Sequence, residues 1–208
     1  MTRFGYVAII GKPNAGKSTL LNTLLGENLS IVTAKPETTR RSVVGIYSEE
    51  QMQAVFLDTP GIVPRPKFEL HRQMMGFIHQ AIEEADVILV IVDITESMRT
   101  LHDVLTEELR NDLRSSKKPC ILVVNKMDVL EDKTVALPKI LELMNTQLFV
   151  TNVAISARYN KFIDELVRVL TTHLPEGEFV YDPEQLSTQP QIFFVAEFVR
   201  EQCFEMFR

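Results

Sequence analysis

The hydrophobic positions of this chain fall into short runs that alternate with longer stretches of helical periodicity. Six runs are compact enough to be buried strands, and they cover residues 6–10, 42–48, 53–57, 86–92, 120–124 and 148–153. Helical patterns lie between them, near residues 17–25, 69–84, 98–114, 134–145 and 161–173. This alternation predicts an α/β fold with a mostly parallel six-stranded sheet and helices on both faces. So short a connection as residues 49–52 predicts a hairpin, and hence one antiparallel edge pair.

The pattern changes after Leu174, which ends the predicted domain of residues 1–174. Residues 175–190 carry prolines and acidic side chains without a sustained period, which predicts a linker. Residues 191–208 return to an amphipathic helical pattern that carries Phe194, Phe198, Phe204 and Phe207. This helix either docks back on the first domain or begins a second one. We favour a second, incomplete domain, because so apolar a helix needs a partner surface.

Composition narrows the class of protein. The chain has 208 residues, 45% hydrophobic and 24% charged, as is usual for a globular protein. Its net charge of -6 excludes a general electrostatic attraction to nucleic acid or anionic membranes. Cys120 and Cys203 are far apart, and Met1 leads into a strand without a secretory leader, so we expect a reduced cytoplasmic compartment. The longest apolar run, which starts at Val87, is shorter than the ~20 residues that a membrane span needs.

The first chemical signal is GKPNAGKS at residues 11–18, which follows a predicted strand and precedes a predicted helix. In that context the pattern predicts a P-loop, whose backbone N–H groups and helix N-terminus bind phosphates. Lys17 would neutralise the β and γ phosphates and Ser18 would bind Mg²⁺. The predicted nucleotide-binding residues are Gly11, Lys12, Pro13, Asn14, Ala15, Gly16, Lys17, Ser18 and Thr19. The alternative is a glycine-rich turn without a ligand.

A second signal is DTPG at residues 58–61, at the carboxyl end of the strand beside the P-loop strand. Ligands of open parallel sheets bind at that edge. Asp58 could hold Mg²⁺ through water, and Gly61 could present its N–H to a γ phosphate. We therefore expect Asp58, Thr59, Pro60 and Gly61 to contact the nucleotide or its metal. The alternative is a plain proline-glycine turn.

A third motif indicates which nucleotide base is bound. NKMD at residues 125–128 follows a predicted strand, and Asp128 can accept hydrogen bonds from N1 and the 2-amino group of guanine. Adenine offers no such pair of donors, so guanine is predicted. Asn125 would link the base to the P-loop, and the alkyl stem of Lys126 would cover the purine. Farther on, Ser156 and Ala157 would meet the base edge, the latter through its backbone N–H.

Two switch segments are predicted from the same order of motifs. Residues 27–42 are polar, and a threonine hydroxyl there should reach Mg²⁺ when a γ phosphate is present. Thr38 and Thr39 are both candidates by spacing, and the alternative is a solvated loop. The second switch would span residues 62–72. It begins with Ile62, where a water-activating glutamine would be expected in a nucleotide switch, so another group must orient the water.

At GKPNAGKS, PETTRRSVVGI, FLDTPGI, NKMD and ISAR, the chain resembles the Era GTPases over essentially its whole length. The resemblance implies a Ras-like P-loop GTPase fold followed by the start of a KH-type RNA-binding domain. It implies GTP hydrolysis. From the motifs we expect Mg²⁺ to be held by Ser18, Asp58 and a switch threonine, for which we take Thr39. The resemblance also implies a role in assembly of the small ribosomal subunit, through the 3′ end of its rRNA. No G-x-x-G loop follows residue 174, so RNA binding by these residues alone should be weak or absent.

The resemblance also suggests how water is activated without a glutamine. Related members with asparagine at the position of Asn14 recruit K⁺, which would offset charge on the transferring phosphoryl group. The catalytic residues would then be Lys17, Asn14, Gly61 and Thr39, although Asn14 could instead stabilise the loop. We expect a monomer. The alternatives are a guanine-nucleotide sensor that does not hydrolyse, or a related GTPase acting in tRNA modification or in peripheral contact with a membrane.

Overall fold

The computed structural model describes residues 1–32, 39–40, 42–96 and 101–206, except for the side chains of Phe204 and Glu205. Six strands form one sheet: β1 (Arg3–Gly11), β2 (Val43–Glu49), β3 (Met52–Asp58), β4 (Val87–Asp93), β5 (Cys120–Asn125) and β6 (Thr151–Ala154). Their order across the sheet is β2-β3-β1-β4-β5-β6. β2 pairs antiparallel with β3, and the other pairs are parallel. The predicted fold class is confirmed.

Seven helices accompany the strands in the described part of the chain. They are α1 (Lys17–Leu25), α2 (Glu69–Glu84), α3 (Leu101–Val104), α4 (Glu107–Ser116), α5 (Leu137–Met144), α6 (Ile163–His173) and α7 (Gln191–Met206). Short 3₁₀ turns cover Met127–Val129, Lys133–Ala136 and Ala157–Tyr159. None of these helices is long and apolar enough to cross a lipid bilayer.

The sheet is buried on both faces because its strands alternate between two cores. In β1, Val7 and Ile9 pack on the face covered by α1 and α6. Ala8 and Ile10 pack on the opposite face, which α2 to α5 cover. Parallel strands buried on both faces read as continuous apolar runs, which is why the pattern was recognisable in the sequence. The cores leave the carboxyl ends of β1, β3 and β5 as one rim on which the predicted motifs lie.

Two predicted elements differ from the structure. The single helix predicted over residues 98–114 is wrong for its described part, because the chain breaks into α3 and α4 at Leu105 and Thr106. Thr106 has an extended backbone, and its hydroxyl accepts a hydrogen bond from the Leu109 N–H, so it begins a new helix. The last strand was predicted over residues 148–153 but spans Thr151–Ala154. Leu148 and Phe149 instead bury their side chains in the core.

The predicted linker lies against the domain rather than extending from it. Gln53 accepts hydrogen bonds from the N–H groups of Val180 and Tyr181, 3.0 Å each. Farther on, the Leu186 carbonyl accepts from the N–H of Ile46 on β2 at 2.8 Å. Helix α7 then packs Phe193 and Phe194 against the core of α1 and α6. Its other apolar side chains remain exposed to solvent: Ile192, Val195, Phe198, Val199 and Met206.

Candidate functional site

A cavity of about 680 Å³ opens at the carboxyl rim of the sheet. It brings together residues from all the predicted motifs, although these lie far apart in the sequence. The predicted residues that line it are Pro13, Asn14, Gly16, Lys17, Ser18, Thr19, Thr39, Gly61, Asn125, Lys126 and Asp128. Ile31, Val32, Val129 and Arg158 complete the lining. The cavity is therefore one continuous site with a P-loop end and an NKMD end.

At the P-loop end, Lys17 is buried at the start of α1 with its ammonium group inside the loop. Its Nζ donates to the carbonyls of Gly11 at 3.0 Å and Lys12 at 2.8 Å. Burial lowers the pKa of Lys17 to about 8, and the nearby carboxylate of Asp58 only partly offsets this. An anion in the cavity would compensate the desolvated charge, which makes this end suited to phosphate.

Two glycines allow the close approaches that build this end. Gly16 has a φ of 100°, and a Cβ there would lie 2.1 Å from Nδ2 of Asn125. Gly61 packs so closely on the P-loop that a Cβ would lie 2.8 Å from the backbone nitrogen of Pro13. Because neither position has room for a side chain, the two motifs at residues 58–61 and 125–128 can pack directly against the phosphate loop.

Asp58 forms the centre of a candidate metal site. Its Oδ2 accepts hydrogen bonds from the hydroxyls of Ser18 at 2.7 Å and Ser30 at 2.6 Å. Its Oδ1 is buried without a hydrogen-bond partner among the described residues. Burial raises the pKa of Asp58, although the hydrogen bonds and Lys17 oppose this rise. A buried carboxylate oxygen without a donor is costly unless a cation or water compensates it, so these residues fit Mg²⁺.

Of the two candidate switch threonines, Thr39 is among the described residues and lies beside this site. Its Oγ1 lies 3.1 Å from Oγ of Ser18, and the residue is buried. Thr38, the other candidate, lies outside the described residues. Three hydroxyls, those of Ser18, Ser30 and Thr39, thus lie close to the carboxylate of Asp58. Among the described residues, no group of three or more His, Cys, Asp or Glu side chains forms an alternative metal site.

At the other end, Asn125 ties three loops together. Its Nδ2 donates to the carbonyl of Ala15 at 2.9 Å, and its Oδ1 accepts from the N–H of Ala157 at 3.0 Å. Asp128 accepts a hydrogen bond from the hydroxyl of Ser156, which fixes the orientation of its carboxylate. The N–H of Ala157 was predicted to meet a base oxygen. In the structure it is bonded to Asn125, so a base would have to share or displace that contact.

Two lysines of the predicted site form ion pairs with the last residue of β4 and with the loop that follows it. Lys126 lies 2.5 Å from Asp93, and Lys12 lies 3.2 Å from Glu96. Burial raises the pKa of Asp93, but hydrogen bonds from Lys126 and Thr95 outweigh it and leave that pKa below its ordinary value. The pair with Asp93 fixes the side chain of Lys126 where its alkyl stem borders the cavity.

Several predicted residues do not line the cavity. They are Gly11, Lys12, Ala15, Asp58, Thr59, Pro60, Ser156 and Ala157. Thr59 is fully buried and its hydroxyl donates to the carbonyl of Ile9 at 2.8 Å, so it joins β3 to β1. Ser30 and Asn22 also support the site, although the sequence did not predict them. Asn22 holds the N–H groups of Leu29 and Ser30 with Oδ1, at 3.1 and 2.9 Å. A serine in a polar loop carries no local signal of such contacts.

Ile62 is a core residue whose apolar side chain does not line the cavity. It is 2% exposed and packs in the core beneath α2, while its N–H donates to the Gly11 carbonyl at 3.0 Å. We predict that Ile62→Gln lowers the free energy of unfolding by about 2–4 kcal/mol, since an amide would be buried in an apolar site.

The measurement for Ile62→Gln is chemical denaturation of the nucleotide-free chain, with Ile62→Val as the control. The valine variant should lose about 1 kcal/mol. A glutamine variant as stable as the original chain would show that the side chain can turn out of the core.

The comparisons with known proteins agree with this geometry. The family model described as 50S ribosome-binding GTPase matches residues 6–126. GTPase Era of Nitratidesulfovibrio vulgaris is 39% identical over 210 residues, which cover 99% of this chain and 67% of that protein. The GTPase ERA-like, chloroplastic protein of Oryza sativa subsp. japonica is 38% identical over 207 residues, 99% of this chain and 48% of that protein. The chain thus spans about half of the plant relative and two thirds of the bacterial one.

Two solved structures are similar over nearly the whole chain. Era in complex with MgGDPNP and nucleotides 1506-1542 of 16S ribosomal RNA has a TM-score of 0.89 and 40% identity, covering 97% of this chain and 67% of that one. A point variant of Aquifex aeolicus Era bound to GDP.AlF4- has a TM-score of 0.92 and 40% identity, covering 100% and 69%. The matched family model, the level of identity and the shared fold lead to one conclusion: this chain belongs to the Era GTPase family.

Proposed function

We propose that this chain is a molecular switch that binds GTP with Mg²⁺ and hydrolyses it to GDP and phosphate. The observation that carries the proposal is that one cavity is lined by Lys17, Ser18 and Asp128. Ser18 also donates a hydrogen bond to Asp58, whose other carboxylate oxygen is buried without a partner among the described residues. A guanine nucleotide is the ligand whose phosphates, metal and base match these groups in that order. The related Era structures contain MgGDPNP or GDP.AlF4-, which supports the same ligand class here.

Each residue of the site has a defined task in this proposal. Lys17 and the P-loop backbone bind and orient the phosphates, while Ser18, Thr39 and Asp58 would hold Mg²⁺. When bound, the metal supplies positive charge to the β and γ phosphate oxygens. Asp128 and Asn125 hold the base. Water attacks the γ phosphorus as the bond from that phosphorus to the β–γ bridging oxygen breaks, which leaves GDP and inorganic phosphate.

The buried Ile62 leaves water orientation to other groups. We propose the backbone at Gly61 and a K⁺ ion bound partly by Asn14. Asn14 lines the cavity and has a left-handed backbone with a φ of 61°, a conformation that asparagine tolerates better than most residues. A monovalent cation there would place positive charge near the transferring phosphoryl group, as an arginine does in other GTPases.

The test is steady-state phosphate release from GTP with Mg²⁺, comparing KCl with NaCl at equal ionic strength. We expect release in KCl to exceed release in NaCl about tenfold or more, and Asn14→Ala to remove that difference. Asn160→Ala, also at a left-handed asparagine, serves as the control. Potassium stimulation that persists in Asn14→Ala would contradict the role of Asn14. Binding of GTP without turnover in either salt would support a sensor that does not hydrolyse.

For the longer protein we propose a role in assembly of the small ribosomal subunit through the 3′ end of its rRNA. One related structure contains nucleotides 1506-1542 of 16S ribosomal RNA. We assign residues 1–174 to the GTPase domain, 175–190 to a linker and 191–208 to the start of a KH-type domain. The exposed apolar side chains of α7 support this, because they would be covered by the rest of such a domain.

Three further proposals follow from the same family assignment. RNA binding by these 208 residues alone should be weak or absent, because the helix of a KH domain does not by itself clamp nucleotides. The chain should act as a monomer. A cytoplasmic location fits Cys120 and Cys203, both of which are free thiols in the structure. Action in tRNA modification or at a membrane is the less favoured alternative.

A further inference from the structure

We propose that residues 186–201 form a clamp that holds the first switch segment and the strand after it at two points, Val32 and residues 42–44, with Gln189 and Glu201 as positioning residues for the bound nucleotide. The clamp is defined by contacts to Val32 at the front and to Ser42 and Val44 at the back. This inference rests on the proposed guanine-nucleotide site, because Val32 lines the same cavity. It assigns to the C-terminal segment a function within the GTPase site.

The front contact reaches the cavity wall directly. The N–H of Val32 donates to Oε1 of Glu201 on α7 at 3.1 Å, although 169 residues separate them. Ile31, next to it, is 3% exposed and also lines the cavity. On the other side, Asn22 of α1 holds the N–H of Ser30 at 2.9 Å. Residues 30–32 of the cavity wall are therefore bonded to α1 on one side and, through Glu201, to α7 on the other.

The back contact lies where the switch segment enters β2. The side chain of Gln189 accepts from the N–H of Val44 at 2.9 Å and donates to the carbonyl of Ser42 at 3.2 Å. The hydroxyl of Ser187 donates to the Val44 carbonyl at 2.6 Å. β2 is the outer strand of the sheet, so these bonds satisfy edge groups that would otherwise face water. The linker thereby fixes the start of the strand that follows Thr39.

Between the two contacts, α7 is anchored to the domain by Phe193 and Phe194, which pack against the core of α1 and α6. Thr39 lies between the clamped points and 3.1 Å from Ser18. Holding Val32 and Ser42 in place lowers the conformational entropy that the cavity wall and Thr39 must lose when a nucleotide binds. By linkage, a partner that displaced α7 would weaken nucleotide binding, and bound nucleotide would favour the docked helix.

The test compares variants that remove one contact each. Glu201→Ala removes the acceptor for Val32, whereas Glu201→Gln keeps an oxygen in the same place. Gln189→Leu removes the side-chain bonds to Ser42 and Val44. The matched controls are Gln202→Ala and Gln191→Leu, which change exposed neighbours on α7. The readout is the rate at which fluorescent GDP and a fluorescent GTP analogue dissociate in Mg²⁺.

We expect Glu201→Ala and Gln189→Leu to release nucleotide about three- to tenfold faster, since each loses one or two hydrogen bonds. Glu201→Gln and both controls should stay within about twofold of the unmodified chain. Unchanged rates in Glu201→Ala and Gln189→Leu would overturn the clamp. So would a Glu201→Gln variant as impaired as Glu201→Ala, because the retained acceptor should rescue a positioning role.

A second readout does not depend on nucleotide. Amide hydrogen exchange of the nucleotide-free chain should accelerate at Val32 in Glu201→Ala and at Val44 in Gln189→Leu. It should not accelerate at core amides such as that of Ile9, which report whether the fold is intact. Unchanged exchange at Val32 and Val44 would refute the contacts themselves. Failure of the unmodified chain to bind guanine nucleotide, with exchange as expected, would instead overturn the proposed site and the clamp's effect on it.

Discussion

Asp128→Asn should convert a guanine site into one that prefers xanthine. In the proposed site the carboxylate of Asp128 would accept two hydrogen bonds from guanine, whereas an asparagine amide offers one acceptor and one donor. Xanthine has an oxygen where guanine has the 2-amino group, so the new donor meets an acceptor. The hydroxyl of Ser156 already donates a hydrogen bond to residue 128, and it can also donate to an amide oxygen, although less strongly. The geometry should therefore survive while the base preference changes.

The measurement is competition of GDP and XDP against a fluorescent nucleotide. We expect affinity for GDP to fall about a hundredfold or more, because the base would leave buried polar groups unpaired. Affinity for XDP should rise above that for GDP. Asp132→Asn is the matched control, since Asp132 lies four residues on and is exposed. A variant that still prefers GDP would show that Asp128 does not read the base.

Lys17→Met should abolish tight nucleotide binding and yet stabilise the nucleotide-free fold. The ammonium group is buried, and burial lowers its pKa from 10.5 to about 8. Below about pH 8 the folded chain therefore bears the cost of a desolvated charge, and that cost disappears as the pH rises towards the ordinary pKa. Methionine has a similar shape without the charge, so it removes the cost at neutral pH.

We expect Lys17→Met to raise the free energy of unfolding at pH 7 by about 1–3 kcal/mol, and by less above pH 9. The carbonyls of Gly11 and Lys12 lose a donor, which keeps the gain below the full cost of the charge. Affinity for GDP should fall by about two to three orders of magnitude, because the phosphates lose a buried cation. Chemical denaturation and nucleotide titration give the two values.

Lys117→Met is the control for both measurements, because Lys117 is exposed and does not line the cavity. It should change neither value appreciably. A Lys17→Met variant that is destabilised at pH 7, or one whose stability advantage grows at high pH, would contradict the role assigned to desolvation.

The sequence predicted the elements whose signals are local. Helices α1 and α2 begin and end where their periodicity indicates, and the apolar strands were recognisable because both faces of the sheet are buried. The break at Thr106 was missed, because a capping threonine inside an amphipathic pattern resembles an ordinary helical position. The spacing of the motifs did not distinguish Thr38 from Thr39 as the metal-binding switch threonine. The contact between Thr39 and Ser18 supports Thr39 as the metal-binding residue. Because these residues are 21 positions apart, local sequence patterns could not predict this contact.

The contacts that sequence reasoning could not find are long-range and polar. Ser30 forms a hydrogen bond with Asp58, and Glu201 forms one with Val32. The sequence around a single serine or glutamate does not indicate which distant residue it will bind. The linker was predicted from its prolines and lack of period, which are signals of irregular structure. Those signals do not reveal that Gln189 would bind the edge of β2. Pattern predicts elements and motifs, whereas the pairing of side chains depends on how the elements pack.

The most direct test of the central claim is displacement of a fluorescent guanine nucleotide from this chain by GDP, GTP, ADP and ATP in the presence of Mg²⁺. We predict that GDP and GTP displace it at micromolar concentrations, and that ADP and ATP fail to do so at concentrations about a thousandfold higher. Displacement by ATP at the same concentration as GTP would contradict the assignment of Asp128 and, with it, the account of this site as a guanine-nucleotide switch.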